Sequence, residues 1–115
     1  MKVIKIGNED YVIKYSINNL IAMENLLGKP FTQIFGEDGQ VSLNTLRTLI
    51  YCGLQGNKHN LTETGAGEIL SSALDSGEYD LTSIAQEFIN EMTKSLGIKS
   101  ADVAEIKKVK KSKNA

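Results

Sequence analysis

The chain has 115 residues, of which 41% are hydrophobic and 23% are charged, a profile typical of one ordinary globular domain and not of a disordered chain. Its formal net charge of −1 argues against a nucleic-acid binder that works by overall basicity. No run of residues approaches the length of a membrane span, and the N-terminus lacks a signal-peptide pattern. With a single Cys there is also no disulfide framework, so we expect a cytoplasmic protein.

The N-terminal segment predicts a β-hairpin. Residues 2–6 and 11–15 are rich in β-branched and aromatic residues, with Ile4 and Ile6 on one face of the first strand. Residues 7–10 between them contain Gly, Asn and Asp, which favour a turn. Because a two-stranded hairpin is marginal in water, we expect it to pack on helices or to pair with another chain.

The next segment predicts a helix that is capped by Ser16 and runs to about Leu27, where Gly28 and Pro30 stop it. Glu24 falls inside its apolar stripe and has two interpretations. Either the side chain lies at the edge of the stripe with its head in water, or it is a buried carboxylate that fixes register or a subunit contact. The predicted stripe comprises Ile17, Leu20, Ile21 and Leu27, broadened by Met23 and Leu26.

The most apolar segment, residues 42–54, predicts a helix at the centre of the core, with Ser42 as its N-cap. Before it, residues 31–35 predict a short helical turn that carries two aromatic rings to the core, and residues 36–39 predict a solvated acidic loop. The predicted apolar positions of the central helix are Leu43, Leu46, Leu49, Ile50, Gly53 and Leu54, widened by Tyr51 and Cys52. The positions left polar are Asn44, Arg47, Thr48 and Gln55.

Two further amphipathic helices are predicted, the first capped by Thr62 and the second following Asp80. Gly65 and Gly67 weaken the first of them and should let a neighbouring backbone come close. We expect both helices to close over the central one, which gives an α+β fold with an N-terminal β-hairpin followed by about four to five helices. The first stripe comprises Ala66, Ile69, Leu70, Ala73 and Leu74. The second comprises Leu81, Ile84, Ala85, Phe88, Ile89, Met92 and Leu96.

Composition changes after Gly97. We therefore predict a compact domain over residues 1–97 and a weakly helical to disordered, Lys-rich tail over residues 98–115. The tail is either a solvated terminus or a binding segment for an acidic partner or RNA.

Residue types that carry catalysis are scarce. The chain has one Cys and one His, Cys52 and His59, so a zinc site of the usual kind lacks ligands. Cys52 lies in the most apolar helix, where a thiol acts as a small hydrophobe, and His59 lies in the polar connection 57–60. We predict no catalytic, cofactor-binding or metal-binding residue, and hence no enzyme. The acids expected in solvent-facing turns are Glu9, Asp10, Glu37, Asp38, Asp75, Glu78 and Asp80.

Several short blocks occur in a characteristic order over residues 1–97. They are the hairpin, Met23-Glu24, Leu26-Leu27-Gly28-Lys29-Pro30-Phe31, Gln33-Ile34-Phe35, the Leu-rich segment 46–54 that ends in Gly-Leu, Leu61-Thr62, and the Ala-Gly-Glu block 66–70. In this order the chain resembles the tail assembly chaperones of long-tailed (siphovirus-type) bacteriophages and prophages. It departs from them at Gly65, where a helix former would be usual, and this leaves the start of that helix open.

The resemblance implies a non-catalytic protein of the bacterial host cytoplasm that binds and solubilises the tape measure protein and assists tail tube assembly. Its implied partners are the tape measure protein and the tail tube protein. An unpaired hairpin edge also predicts a homo-oligomer. The alternatives are a structural virion subunit, such as a minor tail or head–tail connector protein, and, third, a nucleic-acid-binding regulator.

The resemblance also implies two product lengths, the longer made by a reading-frame slip near the end of the gene. The paired lysines Lys107-Lys108 and Lys110-Lys111 suit the A-rich codons on which such a slip occurs. A single product with a solvated terminus is the other interpretation.

Overall fold

The structure is a computed structural model that describes residues 2–34, 41–56 and 61–97. A two-stranded antiparallel sheet comes first and four α-helices follow, which confirms the predicted α+β class. A short 3₁₀ turn, Phe31–Gln33, follows the first helix. The elements are β1 Lys2–Ile6, β2 Glu9–Ile13, α1 Ile17–Leu27, α2 Leu43–Gly53, α3 Glu63–Asp75 and α4 Leu81–Ser95.

The hairpin has a tighter loop than the sequence predicted. Ile6 pairs with Glu9, so only two residues form the loop, and the first of them, Gly7, has φ 63°. A two-residue loop with positive φ matches the twist of the flanking strands. The predicted turn over 7–10 and second strand over 11–15 were therefore wrong by two residues. The two acidic residues after the loop join the strand, where their side chains stay exposed.

One face of the hairpin belongs to the core, as predicted. The alternating residues Ile4 and Ile6 of β1 and Tyr11 and Ile13 of β2 are all buried, and β1 packs against α3. The opposite face is turned to solvent, with Val3 61% exposed. The sheet is thus stabilised by helices on one side only.

Helix α2 occupies the centre, since it packs against α1, α3 and α4. Leu49, Ile50 and Leu54 have no exposed surface, which confirms the predicted position of this helix in the core. Two details of its predicted face were wrong. Leu43, in the first turn, is 64% exposed, while Thr48 is buried. The Thr48 hydroxyl is satisfied there because it donates to the carbonyl of the preceding turn at 2.9 Å.

Helices α3 and α4 both pack on α2, and most of their predicted stripes are buried. The stripes were predicted too long at two positions, since Leu74 is 36% exposed and Leu81 is 46% exposed. Both residues lie in a terminal turn of their helix.

Helix α1 buries less of its surface than predicted. Leu20 and Met23 are buried and Leu27 is half-buried, because α2 and the 3₁₀ turn cover only one side of the helix. The remaining predicted stripe residues are exposed, namely Ile17, Ile21 and Leu26.

Capping residues set the helix boundaries as predicted. Ser16, Ser42 and Thr62 each accept a hydrogen bond from the backbone amide three residues on, which satisfies a free donor of the first turn. Gly28 ends α1 in the left-handed conformation with φ 69°. Asp80 caps α4 in a reciprocal capping box, which the sequence analysis did not identify.

The two glycines of α3 do not admit a neighbouring backbone, so that prediction was wrong. A Cβ on Gly65 would lie 3.3 Å from side-chain atoms of Leu61 and Thr62, and a Cβ on Gly67 would lie 3.4 Å from the Arg47 side chain. The helix nevertheless starts at Glu63 and runs through both glycines, which settles where it begins.

The 3₁₀ turn confirms the predicted helical turn after α1, and Ile34 is buried beside it. Phe35, the acidic loop 36–39, the connection 57–60 with His59, and the tail 98–115 lie outside the described residues.

Candidate functional site

The Cys52 thiol is buried and unsuited to act as a nucleophile. The residue is 2% exposed, and burial, with a smaller contribution from the charge of Glu63, raises the pKa of its thiol to about 11. The thiolate is the reactive form, so very little nucleophile is present near neutral pH. This placement confirms the predicted role as a small hydrophobe, whereas His59 lies outside the described ranges.

The acidic residues predicted for turns do not form a metal-binding group where the structure describes them. The Asp80 carboxylate caps α4, and the hydrogen bonds that it accepts from the backbone and side chain of Ser83 lower its pKa. Within the described ranges, no three His, Cys, Asp or Glu side chains come together in a way that could hold a metal ion. Glu9 and Asp10 lie on β2 and Asp75 is the last residue of α3, so none of the three lies in a turn as predicted. Glu37 and Asp38 lie outside the described residues.

A buried carboxylate that the sequence analysis missed lies on α4. Glu91 is 3% exposed, and one of its oxygens lies 3.4 Å from the ammonium of Lys94. The residue spacing could have predicted this burial, because residue 91 lies seven residues after Ile84 and three after Phe88, within the apolar stripe. Glu91 therefore belongs to the interior of the domain and not to an exposed site.

Lys2 joins the first strand to the same helix. Its ammonium donates to the Glu87 carboxylate, and this hydrogen bond raises the pKa of Lys2. The pair is partly exposed, so we treat it as a weak tether of β1 to α4.

The segment after β2 satisfies the carbonyl end of α2. The Tyr15 hydroxyl donates to the Leu49 carbonyl at 2.6 Å, the Asn19 amide donates to the Cys52 carbonyl at 3.3 Å, and the Lys14 backbone amide donates to the Gly53 carbonyl at 2.9 Å. The last carbonyls of a helix have no intrahelical donor. Each of these bonds supplies a carbonyl in the last turns of α2 with a donor, either as its only one or as a second one. These hydrogen bonds connect the hairpin and α1 to α2.

Gly53 makes that approach possible. A Cβ at this position would lie 2.7 Å from the Tyr15 hydroxyl oxygen and 2.8 Å from its ring. Burial, followed by the proximity of Cys52 and Glu91, raises the pKa of Tyr15 well above its ordinary value, so the hydroxyl stays protonated as a donor. The residue spacing places Gly53 on the apolar face, but it does not indicate that Tyr15 packs against it.

Glu24 closes the turn after α1. Its carboxylate accepts the backbone amide of Phe31 at 2.8 Å, and its side chain is half-buried. Pro30, which precedes the 3₁₀ turn, supplies no capping side chain. Glu24, seven residues before Phe31, caps the turn instead. Neither earlier interpretation describes this local role, since the head group is half-buried and hydrogen-bonded within its own chain.

The features best suited to a partner are exposed apolar side chains. Within the described ranges they occur on the hairpin and on all four helices, and three of the seven large ones there belong to α1. Exposed apolar groups that occur singly are ordinary, but a group of them on one element marks an interaction surface. The seven are Val3, Ile17, Ile21, Leu26, Leu43, Leu74 and Leu81.

The described part of the chain contains no helix with the length and apolar character that a membrane span requires. Comparisons of the chain with protein-family models, with curated proteins and with solved structures find no match.

Proposed function

We propose that this protein is a non-catalytic tail assembly chaperone of a long-tailed bacteriophage or prophage, which binds and solubilises the tape measure protein and assists tail tube assembly. The observation that carries the proposal is the order of short sequence blocks over residues 1–97, from the hairpin through Met23-Glu24 and the Gly-Lys turn to the Ala-Gly-Glu helix. On this proposal the protein acts in the cytoplasm of the bacterial host, before the tail is complete.

Two of those blocks have a physical connection that supports treating them as one motif. The Glu24 carboxylate of the Met-Glu step holds the Phe31 amide of the Gly-Lys turn at 2.8 Å. The glutamate thereby supplies an acceptor to a turn whose own N-cap residue, Pro30, has no capping side chain.

The surface is suited to an amphipathic partner. A tape measure protein is long and helical, and its apolar face needs cover until the tube encloses it. A small domain with apolar side chains exposed on several elements can cover such a face, and many copies along one chain gain from multivalency. Recruitment of tail tube subunits to the same complex is the second part of the proposed role.

The direct test is co-purification of the full chain with a helical fragment of the tape measure protein from the same phage or prophage. The matched control is a fragment of identical composition whose residues are reordered to remove the apolar stripe. We expect a complex in size-exclusion chromatography with the first fragment only, together with increased solubility of that fragment.

Failure to bind or to solubilise the fragment would count against the chaperone role. Mass spectrometry of purified virions separates the main alternative, since a structural subunit is retained in the particle and an assembly chaperone is absent from it. Salt-dependent binding to nucleic acid would instead support a regulator.

A further inference from the structure

The solvent side of α1 carries no charge. Six residues of this 11-residue helix are exposed, and they form one continuous side opposite Leu20, Met23 and Leu27. Solvent sides of helices in a monomer usually carry charges, as the exposed Glu68 and Asp75 of α3 do, whereas the centres of protein interfaces are depleted of charge. The six residues, which we call the α1 face, are Ile17, Asn18, Ile21, Ala22, Asn25 and Leu26.

The sequence of the α1 face is palindromic in chemistry. In either direction along the helix it presents an apolar residue, an asparagine, two apolar residues, an asparagine and an apolar residue. An antiparallel pair of such helices, with a two-fold axis between Ile21 and Ala22, therefore matches like chemistry with like at every position. Across that axis Ile17 meets Leu26, Asn18 meets Asn25, and Ile21 meets Ala22.

We propose that the α1 face forms a two-fold symmetric interface with the α1 face of a second copy of this chain. A two-fold contact brings the same patch of each subunit together, so that patch must be complementary to itself. An uncharged face meets this requirement without like-charge repulsion. Each asparagine amide carries both donors and an acceptor, so Asn18 and Asn25 of opposite copies can bond to one another.

The asparagines also select the register. Asn18 and Asn25 are seven residues apart, which places them at equivalent positions of successive heptads on one helix face. A buried asparagine left without a partner is costly, so the antiparallel register that pairs Asn18 with Asn25 of the other copy is favoured over a slipped antiparallel one. A helix of 11 residues is about 16 Å long, which limits the contact and makes the association weak and concentration-dependent.

The interface does not depend on the proposed function, and sedimentation velocity of the full chain over a wide concentration range tests it. We expect the wild type to convert from monomer to dimer, and Ile21→Glu to weaken the dimer by about tenfold or more, because it buries a carboxylate beside the axis. Leu43→Glu is the matched control, since Leu43 is even more exposed, at 64%, and lies on another helix. We expect this control to dimerise like the wild type.

Paired charges test the register itself. The double variant Asn18→Lys, Asn25→Lys places like charges opposite each other across the axis and should be monomeric. The double variant Asn18→Lys, Asn25→Glu places opposite charges there and should dimerise at least as well as the wild type at low salt. All four substituted positions tested here are exposed, and circular dichroism establishes that each variant is folded.

A wild type that stays monomeric at every concentration would overturn the proposal, as would a dimer that Ile21→Glu leaves intact. In the second case the unpaired edge of the hairpin would be the alternative dimer interface. A monomeric wild type whose tape measure complex is lost in Ile21→Glu would show that the α1 face binds that partner and not a second copy. A wild type that forms the dimer but does not bind the tape measure fragment would instead count against the proposed function alone.

Discussion

Gly53 is the position where a single methyl group has the clearest structural consequence. The hydroxyl and ring of Tyr15 occupy the space that a Cβ would need, at 2.7 and 2.8 Å, and the hydroxyl is held there by the Leu49 carbonyl. We expect Gly53→Ala to lower the free energy of unfolding by about 1–3 kcal/mol, because the buried ring must move within a packed core. Urea denaturation followed by circular dichroism measures the change.

Gly56 supplies the control for this prediction. It is exposed, and a Cβ there would meet no atom within 4 Å. Gly56→Ala should therefore leave stability unchanged or raise it by a few tenths of a kcal/mol or so, through the unfolded state. Equal stability of the two alanine variants would contradict the close approach of Tyr15 to α2.

Cys52 gives a pH-dependent prediction. Burial raises the pKa of its thiol from 9.0 to about 11, so the folded state favours the protonated form. The stabilisation is complete below the unfolded pKa and is lost as the pH rises through the folded pKa, that is, between about 9 and about 11. The wild type should lose stability relative to Cys52→Ala over this range, as measured by urea denaturation at each pH.

The same variant tests the inert role of the thiol. Once folding has been verified, Cys52→Ala should bind the tape measure fragment like the wild type. A wild-type stability curve parallel to that of the variant up to pH 11 would show that the thiol is not buried as described.

At the scale of elements, the turn after α1 depends on one carboxylate. Glu24→Ala removes the acceptor of the Phe31 amide and should cost about 1 kcal/mol, whereas Glu24→Gln keeps an acceptor oxygen and should cost less. Hydrogen exchange of the Phe31 amide, followed by NMR, reports the bond directly. Exchange should accelerate in the alanine variant more than in the glutamine variant. Unchanged exchange in both would rule out this capping role.

Element boundaries were predictable because they depend on local chemistry. Ser16, Ser42 and Thr62 cap their helices through their own hydroxyls, and a cap involves only a few neighbouring residues. The hairpin loop was misplaced for the opposite reason. Whether Glu9 belongs to a turn or to a strand depends on its pairing with Ile6 across the sheet, and acidic residues are usually found outside strands.

Burial was less predictable than boundaries, because it depends on what covers each face. The apolar residues of α1 and those of α4 have similar spacing, yet Ile21 is 49% exposed and Ile89 is 7% exposed. Conversely, Glu91 is buried although its residue type favours the surface. The α1 face could be recognised only after the structure showed that Ile17 and Ile21 are left uncovered.

At the scale of the whole molecule, the buried residues of the described ranges all lie between Ile4 and Thr93. The last side chain packed against this core is the half-buried Leu96. Residues 98–115 lie outside the described ranges, so the boundary of the compact domain near residue 97 stays a prediction.

A truncation series tests this boundary. A chain that ends at Gly97 retains every core residue of the described ranges, so we expect its free energy of unfolding to equal that of the full chain to within about 0.5 kcal/mol. A chain that ends at Met92 is the control. It lacks the buried Thr93 and the packed side chain of Leu96, and should be less stable by at least about 1 kcal/mol. If removal of residues 98–115 alone destabilised the protein to the same extent, the tail would belong to the folded domain, and the division at residue 97 would be wrong.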